Sequence, residues 1–132
     1  MALTKGVHHI AIKAKGVEAF EKLVNFYTQV LGMPVVRTWG EGENLGAMVA
    51  IGGGSMMELF SNGPDELPQG AIRHIALATD DVDACVKVCA DAGYDVFVKP
   101  NDIVIAAEKP FPARIAFVTG PVGEEVEFFC EK

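Results

Sequence analysis

The chain has 132 residues, half of them hydrophobic, three cysteines and a formal net charge of −7. That is enough chain for one domain with a real core. It excludes a disordered polymer, a disulfide scaffold and, through its acidity, a nucleic-acid binder; an anionic substrate would need local basic residues. No apolar run is long enough to span a bilayer, and the opening Met1-Ala2-Leu3-Thr4-Lys5 lacks the apolar stretch of a signal peptide. The expectation is a cytoplasmic protein with no membrane partner.

Strand alternation predicts a first strand over about Val7–Lys13, with Val7, His9, Ala11 and Lys13 on one face and His8, Ile10 and Ile12 on the other. Val17, Phe20, Val24, Tyr27 and Leu31 then recur at helical spacing, and Gly32 with Pro34 stops that helix. Strands follow near Val35–Thr38, Ala47–Ile51 and Ser55–Phe60. Gly52-Gly53-Gly54 reads as a hairpin turn, because a phosphate-cradling use would need a helix directly after it.

Asn62-Gly63-Pro64 to Gln69-Gly70 is a polar connector, and the same order then starts again. A strand is predicted over Ala71–Ala78, a helix over about Asp81–Ala92 stopped by Gly93, and strands over Asp95–Lys99, Ala113–Thr119 and Glu124–Cys130. Asn101–Pro112, with Pro110-Phe111-Pro112, reads as a loop able to cover a pocket. Cys85 and Cys89, four apart, read as the buried face of the second helix rather than as a metal pair. Each half is thus β-α-β-β-β. The two modules (about 5–62 and 71–131, joined over 63–70) are expected to pair as one α+β domain over 1–132, their sheets curling around a shared cavity.

The two halves repeat more than their element order. His9-Ile10-Ala11-Ile12 and His74-Ile75-Ala76-Leu77 open them, and Met57-Glu58-Leu59-Phe60 and Val126-Glu127-Phe128-Phe129 close them. A lone strand histidine is usually a satisfied polar residue and a lone strand glutamate usually faces water. Both types at matching points of both halves are instead half of a metal site written twice. A carboxylate flanked by apolar residues is costly unless it is paired or bound to a cation. The candidate ligands are therefore His9, Glu58, His74 and Glu127, a nitrogen and oxygen donor set that suits a first-row divalent metal. His8, which has no counterpart in the second half, is expected on the opposite face.

At these residues the chain resembles the vicinal oxygen chelate superfamily, and within it the short bacterial form of glyoxalase I, lactoylglutathione lyase. The resemblance covers the whole length and implies the paired-module fold with His9, Glu58, His74 and Glu127 as ligands of one divalent ion. Nickel or cobalt is implied first, with zinc as a substitute. It implies conversion of a hemithioacetal of methylglyoxal and a glutathione-like thiol to a thioester through an enediolate, with Glu127 as the base and Glu58 as its partner on the opposite face. Lys13, four residues after His9, and Asn62, four after Glu58, stand where the family contacts the thiol's tripeptide. Lys13 takes the place of an arginine, and Gly120-Pro121-Val122-Gly123 replaces an acidic turn, so the match to glutathione is incomplete. The resemblance also implies a homodimer, with the site built within one chain or between two.

Three other readings use the same frame. A metal-dependent epimerase of the methylmalonyl-CoA type shares the enolate chemistry and would draw on Glu43 as an additional base, although such epimerases often have glutamine where this chain has Glu58. A non-catalytic small-molecule binding or resistance protein needs the cavity but not the ligands. A ring-cleaving dioxygenase needs only two histidines and one carboxylate, and a fourth protein ligand would crowd its oxygen site.

Overall fold

The structure is a computed structural model that describes residues 2, 7–66, 73–106 and 109–132. The chain divides after Glu66 into two compact units, each an α+β unit of one four-stranded sheet and one principal helix.

In the first unit the strands are β1 (His9–Lys13), β2 (Val35–Glu41), β3 (Asn44–Gly52) and β4 (Ser55–Phe60), ordered β1-β4-β3-β2. The β1/β4 pair is parallel and the other two pairs are antiparallel. Helix α1 (Val17–Asn25) continues into a π-helical turn over Phe26–Val30. The Leu31 N–H bonds back to the Phe26 carbonyl at 3.0 Å, and the wider turn lets the adjacent Phe26 and Tyr27 both be fully buried. With Phe20 and Leu23 they cover one face of the sheet, where Ala47, Val49, Met57 and Leu59 are also buried. Period-2 alternation leaves Met56, Glu58 and Phe60 on the opposite face.

β2 runs past Thr38 and β3 starts before Ala47, the limits that alternation predicts, although a glycine such as Gly40 often breaks a strand. Gly40 instead stays in the ladder opposite Leu45, with φ of 88°. A side chain there would meet the Asn44 carbonyl, so glycine lets the strand run on. The triple glycine does turn β3 into β4, with all three residues at positive φ.

The second unit repeats the plan. β5 (Ile75–Ala78), β6 (Val96–Ile105), β7 (Phe111–Thr119) and β8 (Glu125–Glu131) are ordered β5-β8-β7-β6, with β5/β8 parallel. Helix α2 (Val82–Asp91) is capped by Asp81, whose carboxylate accepts from the Ala84 N–H at 2.9 Å. Cys89 is fully buried on its inner side, and burial pushes its thiol up to about 12, so packing rather than thiolate chemistry is its role.

Two expectations need correction here. The stretch from Asn101 is not a loop: β6 runs through Pro100-Asn101-Asp102 to Ile105 and pairs with β7 from Phe111 onward. The register shifts between Val98 and Asn101, so Pro100, which has no N–H to donate, is absorbed in a bulge. Residues 107 and 108 of that stretch lie outside the described residues. The first strand of this unit begins at Ile75, just after His74. Ala71 and Ile72 of the predicted strand, and residues 67–70 of the connector, lie outside the described residues.

Candidate metal centre

Each parallel ladder builds the same local arrangement. In the first unit Ala11 pairs with Glu58, placing His9 two residues earlier on the same face. In the second Ala76 pairs with Glu127, and His74 again precedes that alanine by two. An alanine directly beside each glutamate leaves room for the imidazole to lean over it. The His9 Nε2 stands 3.7 Å from Glu58 Oε1, and the His74 Nε2 stands 3.1 Å from Glu127 Oε2. The four predicted ligands therefore occur as two His/Glu pairs, one in each unit. Among the described residues no group of three or more histidine, cysteine, aspartate or glutamate side chains gathers at one point.

The pairs differ in surroundings. The Glu58 side chain is 21% exposed and the Glu127 side chain 10%. Across the sheet Glu58 faces Met48, whereas Glu127 faces Phe117. The Phe117 ring meets the His74 ring edge-on at 5.3 Å and leans on Phe97 at 5.6 Å. Burial of Glu127 pushes its carboxyl above the ordinary carboxylate range, partly offset by the His74 imidazole beside it.

His8 departs from its expected place. It precedes β1, so strand parity does not bind its side chain, and its Nδ1 lies 2.9 Å from the His9 Nδ1 with the rings edge to face. One ring must donate and the other accept. If His9 donates from Nδ1, its Nε2 lone pair is left on the side facing Glu58. In the second unit the corresponding neighbour is Arg73, whose guanidinium has no acceptor to offer.

Lys13 and Asn62 lie beyond the pair in the first unit. Lys13 ends β1 opposite Phe60, with its ammonium 5.4 Å from the centre of that ring. Asn62 follows β4 and bridges to Lys15. Glu43 sits in the turn between β2 and β3, with its carbonyl accepting from the Ser61 hydroxyl at 2.7 Å. It is five residues from Met48, on the order of 15 Å along the strand from the Glu58 row, so the structure does not bring it to Glu58.

Residues 6–128 match the family model of the Glyoxalase/Bleomycin resistance protein/Dioxygenase superfamily. The chain belongs to that superfamily. It is 32% identical to the lactoylglutathione lyase of Escherichia coli O157:H7, across 85% of this chain and 84% of that one. Glyoxalase I of Leishmania major, described as trypanothione-dependent, shares the fold with a TM-score of 0.72 at 22% identity, over 96% of this chain and 87% of that one. TnmS3, an antibiotic binding protein from Streptomyces sp. CB03234, does so with a TM-score of 0.72 at 21% identity over the full length of both.

Reading the sequence strand by strand missed Trp39, Arg37 and Met48 on the Glu58 face and Phe117 beside Glu127. A signal was present for the first of these. Trp39 stands opposite Gly46 in the ladder, and a side chain at Gly46 would run into the indole. A bulky aromatic facing a glycine across two strands marks a ring laid flat on the sheet.

Proposed function

We propose that the chain is a divalent-metal-dependent lyase of the glyoxalase I type, converting the hemithioacetal of a 2-oxoaldehyde and a glutathione-like thiol to a thioester. The observation that carries this reading is the pair of equivalent His/Glu couples, each with a ring Nε2 beside a carboxylate on one sheet face. Their donors fit the group: imidazole nitrogen and carboxylate oxygen suit nickel or cobalt, with zinc as a substitute. His9, Glu58, His74 and Glu127 together would hold the ion, with the modules acting as one domain or shared between the chains of a cytoplasmic homodimer. When bound, the cation supplies Lewis-acid stabilisation of negative charge on the substrate oxygens.

The remaining chemistry belongs to the chain. Glu127, the less exposed carboxylate, takes the proton from the carbon that bears the hydroxyl and the sulfur. The electron pair of that C–H bond moves into the carbon framework and charge passes to the two oxygens. The same proton returned to the adjacent carbon, with the hydroxyl proton passing to that carbon's oxygen, completes an isomerisation with no oxidant or reductant. Phe117 keeps water from Glu127, Glu58 stands on the opposite side of the substrate, and Lys13 and Asn62 contact its polar tail.

The test is metal removal followed by reconstitution with nickel, cobalt or zinc and an assay for thioester from methylglyoxal and glutathione. Turnover that returns with metal supports the reading. Metal binding without turnover moves it to the epimerase, and absence of metal binding moves it to a small-molecule binder.

A further inference from the structure

Behind the first sheet, on the face away from Glu58, α1 and β2 enclose a cleft of about 620 Å³. The duplicated register shows what opens it. In the second unit Ala116 stands opposite Phe128, and two residues earlier Arg114 stands opposite Asp102. Arg114 grips Asp83 of α2 through two bonds of 2.6 and 2.9 Å and reaches Asp102 of β6 at 3.2 Å, which ties the helix across the outer strands. In the first unit the same row is Ala47 opposite Leu59, with Leu45 two residues earlier opposite Gly40. An aliphatic side chain and a glycine thus stand where the second unit has its clamp. Helix α1 accordingly packs mainly on β3 and β4, whereas α2 packs on β6, β7 and β8.

Phe20, Val24, Leu45 and Ala47 give the cleft an apolar floor, and Thr28 and Thr38 add a hydroxyl from each side. The Thr28 hydroxyl donates to the Val24 carbonyl at 2.7 Å, which leaves its oxygen able to accept. Glu21, Asn25 and Gln29, spaced four apart on the helical segment, form the rim. Glu21 is the one ionisable residue lining the cleft, and it has no ion-pair partner among the described residues. Lys22, the one cation of α1, pairs with Glu18 at 3.3 Å, and Arg37 of β2 belongs to the row of Met48 and Glu58 on the other face. In a chain of net charge −7, the cleft therefore joins an apolar floor to an uncompensated carboxylate. Its volume suits a drug-sized molecule.

We propose that this cleft is a second ligand site, for an amphipathic organic cation: an apolar ring system that carries an amine. The ring system lies on Phe20, Val24, Leu45 and Ala47. The ammonium meets the Glu21 carboxylate, and the amide oxygens of Asn25 and Gln29 accept its remaining hydrogens. The site lies on the opposite face of the sheet from His9 and Glu58, so its occupancy requires neither the metal nor the proposed reaction.

The experiment follows backbone amide shifts of the full-length protein, metal-free and zinc-loaded, during titration with naphthylethylamine, naphthylethanol and naphthylacetate. These three probes share an apolar body and differ in charge. The amine binds about three-fold more tightly than the alcohol, and the acid binds more weakly than either. In both forms of the protein the shifts centre on Val24, Thr28, Thr38 and Leu45. Glu21→Gln brings the amine down to the affinity of the alcohol and leaves the alcohol unchanged. Thr38→Phe, which fills the cleft from β2, abolishes binding of all three. Absence of binding, equal affinity for the three probes, or undiminished binding to Thr38→Phe overturns the proposal. Shifts centred on His9 and Glu58 also overturn it. So do shifts of the cleft amides with protein concentration alone, which would make a second copy of the chain the occupant.

Discussion

The first unit presents its His/Glu pair in the open and the second presents an equivalent pair against aromatic rings. In both, a parallel ladder sets an alanine beside the glutamate and the histidine two residues earlier. What differs is the next strand over. Glu58, opposite Met48, is twice as exposed as Glu127, which stands opposite Phe117 in a shorter 3.1 Å contact with its histidine. A duplicated frame thus holds two carboxylates in unlike environments, and unlike environments are how two identical side chains acquire different tasks. In the proposed mechanism, proton transfer falls to Glu127 and metal anchoring to Glu58 in the first unit.

The largest expected effect breaks the comparison at the glutamates. Glu127→Gln in the metal-loaded protein lowers kcat on the order of a thousand-fold, while Glu58→Gln acts first on metal retention. Steady-state rates beside metal content separate the two, and equal kcat losses with metal retained in both would erase the asymmetry. The next effect concerns the histidines. His8→Ala weakens nickel binding by about ten-fold, and Arg73→Ala leaves it unchanged. Nitrogen NMR of the metal-free protein shows whether the His9 proton leaves Nδ1 when His8 is removed.

Smaller effects sharpen the role of the wall. Phe117→Ala admits water to Glu127 and moves its carboxyl titration down toward the ordinary range, as carboxyl NMR of the metal-free protein would record. The same burial has a stability consequence with a definite sign. A carboxyl raised in the folded state contributes stability that is present below its unfolded value and lost as pH rises through its folded value. Metal-free Glu127→Gln is therefore more stable than wild type at neutral pH, and the difference vanishes below the carboxylate range. Urea titrations at two pH values check it.

The frame and the two His/Glu pairings were legible because they rest on period-2 patterning and repetition: His9 lies beside Glu58 and His74 beside Glu127, each pair on one sheet face. Other features were hidden for physical reasons. The predicted strands end at Thr38 and Lys99, yet a positive φ at Gly40 and a bulge at Pro100 let both strands run on. The π-helical turn at Phe26 depends on burying two adjacent rings, which helical spacing does not encode. The side chain of His8 escaped strand parity because the strand starts one residue later. Arg37 and Trp39 acquire meaning only through the β2/β3/β4 register, which no single segment contains.

The most direct test of the central claim is a nickel titration of the metal-free protein, comparing wild type with His9→Ala and His74→Ala, thioester formation being followed at each point. The account predicts one tightly bound ion per chain, loss of that binding when either histidine is removed, and turnover that rises in step with occupancy. Tight binding that survives removal of either histidine, or full occupancy without turnover, would contradict it.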